Sequence, residues 1–401
     1  MKKSAFFDFF NDTDATQFAE IVQASVEDQD YINWNEFFLP KDYGDAEQEY
    51  WGIRKSCALF DVSPIRKIRI TGAAAGQLLD YVLTRPVSNT QSMRGIYVAY
   101  CHEDGSMKDD SILYKFAHDD YLLMPSDIDH SAYLDSFRES LSISDSDLII
   151  TECTDDWHGV ALQGPQSASV LFTMGFEQID ELYPFEVRYY TIAGAKVVVA
   201  RMGFTADLGF ELWFEPEFTP IFQALIKQVR KTKKLAIPAY GLTALETCRL
   251  EGAFIVAGWD FSTEADPNPD FLRSPFEVGL GWLVNLNADN FVGRDALIAQ
   301  KSHNHRFVLR QFKIDQHCDV EDGLTVYAMV NGGQQAIGTV NCSAWSWGLN
   351  SLIGNLSIAR QHADCAEAWI LIKGERFDMT LSRGPFFKDP RRNETPASLL
   401  D

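Results

Sequence analysis

Two acidic residues stand side by side in HEDGSMKDDS (102–111). Neighbouring side chains on an extended strand point to opposite faces, so one of Asp109 and Asp110 can enter a cavity while the other faces away. A carboxyl group so placed can take up or deliver a proton; ordinary polar decoration of a strand is the competing reading. A third carboxylate, Glu211, lies in GFTADLGFE (203–211), where the chain resumes a strand between Phe210 and Leu212. At such a junction it can clamp a ring bearing adjacent N–H donors through paired charge-assisted hydrogen bonds, or simply decorate a hairpin. Gly203, Gly209 and the small Ala206 permit close turns there. The stretch contains neither G-x-x-x-x-G-K-[ST] nor G-x-G-x-x-G, so it is not a phosphate loop.

GLTALETCRLEGA (241–253) has helical spacing. Arg249 either pairs with Glu246, three residues away, or aims its planar guanidinium at an anionic ligand while Glu251 steadies it. In NCSAWSWGLN (341–350), Trp345 and Trp347 alternate and share a face if the segment is extended. That face either belongs to a core or packs on a flat or cationic ligand. No HExxH, G-x-S-x-G or EF-hand loop occurs. The eight histidines form no metal-ligand cluster apart from the loop pair His303 and His305, so no metal is expected, and His158 beside Trp157 reads as structural.

The elements that must carry these residues fall into three groups. KIRITG (67–72), a helix over 73–83, two strands within 96–116, a strand at 119–126 and a helix at 130–141 form one series. A similar order returns with a strand at 156–164, a helix at 165–174, strands at 195–204 and 210–216, and a helix at 218–234. Beyond about residue 305, short strand candidates separated by polar or Gly turns predict a small antiparallel barrel or jelly roll. The expected organisation is an N-terminal extension (1–50) packing on the core, a first α+β unit (51–150), a second (151–304) and a C-terminal antiparallel β domain (305–401). The Pro- and Asp-rich loop 259–277 is long enough to line a site.

Composition narrows the function classes. The 57 acidic and 35 basic residues give a formal net charge of -22, which repels phosphate backbones and anionic lipids, so neither nucleic acid nor membrane is an expected partner. An anionic ligand requires a local basic patch. The seven cysteines are widely spaced with no C-x-x-C, which predicts reduced thiols in the cytoplasm rather than a zinc site or disulfide framework. Acidic residues interrupt the apolar start at once, against a signal peptide.

CALFDVSPIRKIRITG, DGSMKDDS, VALQGPQS, GFTADLGFELWF, LTALETCRLEGA, SPFEVGLGWLV and FVGRDAL occur in an order that resembles the glycine-cleavage T-protein family of folate-dependent one-carbon transferases, over roughly residues 37–385. The resemblance implies a three-domain cloverleaf with tetrahydrofolate in a central channel. It implies Asp109 as the catalytic carboxylate near the folate nitrogens, with Asp110 as the alternative, and Glu211, Phe204 and Arg249 at the cofactor. GFTAD departs from the family's usual G-Y-T-G-E. SAWSWGLNSLIGNLSIA and LTRPVSNTQSMRGIYVAYC resemble the folate-dependent demethylase branch, which includes dimethylsulfoniopropionate demethylase. That branch implies a small methylated sulfonium or ammonium substrate, with Trp345 and Trp347 as pocket candidates. Two alternatives follow from the same family: aminomethyl transfer from a lipoyl carrier protein, and a folate-binding protein without turnover.

Overall fold

In the computed structural model, residues 2–10, 31–126, 128–265, 267–303 and 305–394 are described. Part of the N-terminal extension, residues 11–30, lies outside them. The fold is mixed α and β, with two five-stranded antiparallel sheets and a closed six-stranded antiparallel barrel.

The first sheet runs Arg94–Cys101, Met107–Ala117, Asp120–Pro125, Ile68–Thr71, Ile149–Glu152. The second runs Val187–Ile192, Ala195–Ala200, Gly209–Phe214, His158–Gln163, Ala58–Asp61. The topologies are the same: in each, the strand that leads into a helix pairs with the last of three meandering strands. The repeated order in the sequence is thus a real structural repeat. Val187–Ile192 was not anticipated, because VRYYTI carries exposed and polar positions that blur its alternation.

The fifth strands are exchanged. Ala58–Asp61 falls within the expected first unit but pairs with His158–Gln163 of the second sheet. Ile149–Glu152 precedes the second unit but pairs with Ile68–Thr71 of the first. The line at residue 150 is therefore crossed in both directions. Each sheet covers an otherwise open edge with the other's leading strand.

Each sheet has an outer and an inner face. Outside the first, the helix Ala75–Val82 buries Leu78, Leu79 and Val82 against Ile68, Ile70 and Leu123. Outside the second, Ser167–Thr173 and Thr219–Lys233 bury Val170, Leu171, Phe222 and Ile226, and the N-terminal Phe6, Phe9 and Phe10 join that core. The inner faces meet in one cluster containing Tyr114, Phe116, Met124, Val198 and Trp213. Beyond the register shift at Lys108, alternation therefore puts the even-numbered residues from Asp110 to Phe116 between the sheets.

The barrel consists of Phe307–Ile314, Ser351–Ala359, Gly333–Ser346, Thr325–Val330, Glu367–Ile372 and Glu375–Ser382, in that order around it. The helix Leu242–Glu251 packs on its two longest strands and on the helix Ala46–Lys55. Among the described residues no helix is long and apolar enough to cross a membrane.

Candidate functional site between the sheets

Adjacent positions on Met107–Ala117 give Asp109 and Asp110 different surroundings. Asp109 turns outward and is only 1% exposed. Its Oδ2 accepts from the Ser126 N–H (3.1 Å) and hydroxyl (2.9 Å) and lies 3.1 Å from His130 Nε2. Its Oδ1 accepts the Asp110 N–H at 2.8 Å. Asp110 turns inward, is only partly covered, and accepts a 2.5 Å hydrogen bond from the Tyr97 hydroxyl. Burial first, then the Asp109 charge, pushes its carboxyl up to about 7, with a smaller push from Asp260; the Tyr97 bond opposes the rise.

Glu211 comes from the second sheet. Its cross-strand neighbours are Ala200 and Ala161, so small side chains flank it. Tyr114 reaches across from the first sheet to donate to Glu211 Oε2 at 3.1 Å, and Trp213 Nε1–H donates to the Tyr114 oxygen at 3.2 Å. Burial raises the Glu211 carboxyl to about 7, and the Tyr114 and Trp213 donors lower it only in part. A carboxylate has about four acceptor sites, so this one, bordered by alanines, keeps acceptor capacity for a flat ring with N–H donors.

The loop preceding Glu211 is shaped by Gln163. A Cβ on Gly203 would lie 1.9 Å from its Oε1 and one on Gly209 2.2 Å, so both glycines serve close approach. Gln163 Oε1 then accepts from the Thr205 hydroxyl, and its Nε2 donates to the Met202 carbonyl. Phe204 is left 38% exposed, stacked on Phe254 with centroids 5.2 Å apart.

Arg249 is enclosed by its own chain. It is fully buried and bonds Glu246 (2.7–2.8 Å), the Phe254 carbonyl (3.1 Å), Asp260 (3.5 Å) and Cys342 Sγ (3.3 Å). A buried guanidinium needs such partners, and none of its faces is left for a ligand. Glu251 does not steady it: two helical steps turn a side chain by about 200°. Glu251 instead binds Arg54 (2.5 Å), the Tyr50 hydroxyl (2.8 Å) and the Ser346 hydroxyl (2.5 Å). Asp207, the shortened acid of GFTAD, holds Arg391 through two 3.0 Å bonds and Arg54 at 3.3 Å. These pairs tie the second sheet to the barrel and the C-terminal segment.

Trp345 and Trp347 do not share a face. The strand ends at Ser346, and a turn carries Trp347 away. The Trp345 ring is covered by His317 at 3.4 Å between centroids, while Trp347 packs on Tyr50 at 5.4 Å. Neither pairing forms an open aromatic cage.

The loop 259–277 is buried at 260–263 and 273–275, whereas Trp259 and the described residues of 264–270 are exposed; Asp266 lies outside the described residues. Asp260 is fully buried and accepts from the Val256 N–H (3.0 Å), Asn341 (2.9 Å) and Asn355 (3.2 Å). Sequence reasoning missed Asp260, Tyr97, Tyr114 and His130. Asp260 between Trp259 and Phe261 carried a signal, an acid inside an apolar run. The tyrosines and His130 carried none, because their roles depend on cross-strand partners. Of the expected histidine pair, His305 lies beside Arg360 and Phe276, and the His303 side chain lies outside the described set.

The GCVT N-terminal domain description matches residues 22–288. An aminomethyltransferase of Thermotoga maritima is 31% identical over 72% of this chain and 75% of its own length. A probable aminomethyltransferase of Halobacterium salinarum is 28% identical over 89% and 94%. A trimethylamine-oxide aldolase of Ruegeria pomeroyi is 30% identical over 83% of this chain, which spans only 41% of that relative. The fold is shared with the aminomethyltransferase T of the Bartonella henselae glycine cleavage system, at a TM-score of 0.77 and 18% identity over 98% of this chain and 99% of that one.

Proposed function

The chain belongs to the GCVT family of one-carbon-transferring enzymes, and on that premise we propose that it moves a nitrogen-linked one-carbon unit from a small methylated or aminomethylated donor to reduced folate. One observation carries this reading: each sheet contributes one carboxyl to the space between them, and both are raised to about 7. When bound, reduced folate would supply the ring nitrogen that accepts the one-carbon unit. Glu211 holds the ring through its N–H donors, and Phe204 with Phe254 offers an apolar edge. Asp110 is the catalytic carboxyl: near neutral pH it can take the proton displaced at the acceptor nitrogen and return one to the departing amine. Tyr97 fixes its orientation.

The donor choice rests on the proton requirement. A sulfonium donor leaves as a neutral thioether and needs only a base for the folate N–H proton, whereas a leaving amine also draws a proton back from the same carboxyl. The aminomethyltransferase and trimethylamine-oxide names of the relatives agree with nitrogen-linked chemistry. The onium preference expected from the two tryptophans loses its support, since the two rings pack on different neighbours and form no shared face. A labelled-donor screen with tetrahydrofolate tests the reading, using N-methylated amines and amine oxides, sulfonium compounds and an aminomethyl-lipoyl carrier. Label should reach folate from a nitrogen-linked donor and fail to do so in Asp110→Asn. Transfer from a sulfonium alone reverses the donor choice. Folate binding without transfer from any donor establishes the non-catalytic alternative.

A further inference from the structure

We propose that Asp109 and His130 form a buried positioning pair behind Asp110, holding its backbone and keeping a fixed negative charge at its back without touching the ligand. The proposal rests on the reading that Asp110 is the reacting carboxyl, but its test does not require turnover.

The geometry is specific. Asp109 has no solvent, so its charge must be held by donors, and they are present: the Ser126 N–H and hydroxyl and His130 Nε2 on Oδ2, with the Tyr100 hydroxyl more distant at 3.4 Å. The other oxygen accepts the Asp110 N–H. One carboxylate thus fixes the peptide of the next residue and confronts that residue's own carboxyl with a like charge. His130 is itself 1% exposed, with its ring edge-on to Tyr100 (5.2 Å) and Tyr133 (6.2 Å). That enclosure leaves the imidazole little freedom except to bond Asp109.

Among the described residues, the charged groups around the pair are few. Lys108 sits over the Tyr133 ring at 4.3 Å and is ion-paired with Glu264, so the two largely cancel. His102 and Asp129 also act on this side. On the inner side, Asp110 faces Tyr97 and senses Asp260. Asp260 is already compensated by Arg249 and two asparagines. Among the described residues, Asp109 is the acidic neighbour whose only close ion-pairing partner is His130. Its charge therefore acts on Asp110 with the least cancellation, in keeping with its place as the largest charge effect on that group.

The test is a carboxyl-carbon NMR titration of ligand-free protein labelled at aspartate, with Asp110 assigned by its loss in Asp110→Asn. In Asp109→Asn the Asp110 midpoint should fall by on the order of one pH unit or more, the effect expected for removing a like charge a few ångströms away at an effective dielectric near 20. An unmoved midpoint in a folded variant overturns the proposal whatever reaction the protein performs. Asp109→Ser is the second variant, small enough to admit a water where Asn might meet the Ser126 donor badly. The wild type supplies an independent readout. The ring-nitrogen shifts of His130 should step at the Asp110 midpoint and lose that step in Asp110→Asn. A His130 blind to that pH overturns the coupling without any change at Asp109. If the midpoint shifts as expected but no donor is turned over, the pair stands and the transfer reading fails.

Discussion

The two sheets share one topology and each offers one carboxyl at about the same proton affinity, yet they reach it by different means. In the second sheet Glu211 is raised by burial alone, and every named neighbour, Tyr114 and Trp213, opposes the shift. In the first sheet Asp110 is raised by burial and by like charges, Asp109 before Asp260. A carboxyl raised only by desolvation is ready to be ionised by any ligand that brings hydrogen-bond donors, which suits holding a ring. Burial is the largest cause in both, but the part of the Asp110 rise that comes from a fixed like charge persists while the ligand changes around it, which suits moving a proton.

The largest expected effect breaks this division most directly. Asp110→Asn should lower turnover about 10²–10⁴-fold, the usual worth of a positioned acid–base group, with reduced-folate affinity nearly kept. Glu211→Gln should weaken reduced-folate binding by on the order of 2–5 kcal/mol, measured by calorimetry. If Glu211→Gln instead spares binding and removes turnover, the roles are exchanged between the sheets.

Stability comes next. Because the Glu211 carboxyl is higher in the folded protein, at about 7, than its ordinary 4.5, the folded state holds its proton longer than the unfolded chain. Stability is therefore lost as pH rises from about 4.5 through 7. Glu211→Gln removes that loss and should be the more stable protein at pH 8, by on the order of 1–3 kcal/mol, with the difference closing toward pH 4. Denaturant unfolding at the two pH values measures it; a variant less stable at pH 8 than at pH 4, relative to wild type, contradicts burial as the cause.

The smallest effects sharpen the contrast by sign. Tyr114→Phe removes a donor and should push the Glu211 midpoint further up, at a stability cost of about 1 kcal/mol, whereas loss of the Asp109 charge moves Asp110 down. Ring binding to Glu211 near pH 7 should release about half a proton as the carboxyl ionises. Calorimetry in buffers of different ionisation enthalpy detects that release, and its absence would mean that the ring leaves Glu211 neutral.

Much of the frame was legible because it is periodic. Alternation exposed the hairpin that carries Asp109 and Asp110, and Gly turns marked the barrel strands. Opposite faces for the two aspartates followed from the pleat, but which face was the inner one did not. The Trp345 and Trp347 reading failed at a strand end, where period two no longer applies. The spacing of Arg249 and Glu246 foretold their pairing, but not the burial of the guanidinium, because local spacing says nothing of what closes over a helix.

The sequence alone determined the kinds of element, their order, the family resemblance and the three carboxylates worth attention. Tertiary structure decided the exchange of the two edge strands, the inward turn of Asp110, the bridge from Tyr114 to Glu211 across 97 residues and the enclosure of Arg249. The physical reason is range. Propensity and periodicity act over a few residues, whereas burial and charge act through space between segments that only the completed fold brings together.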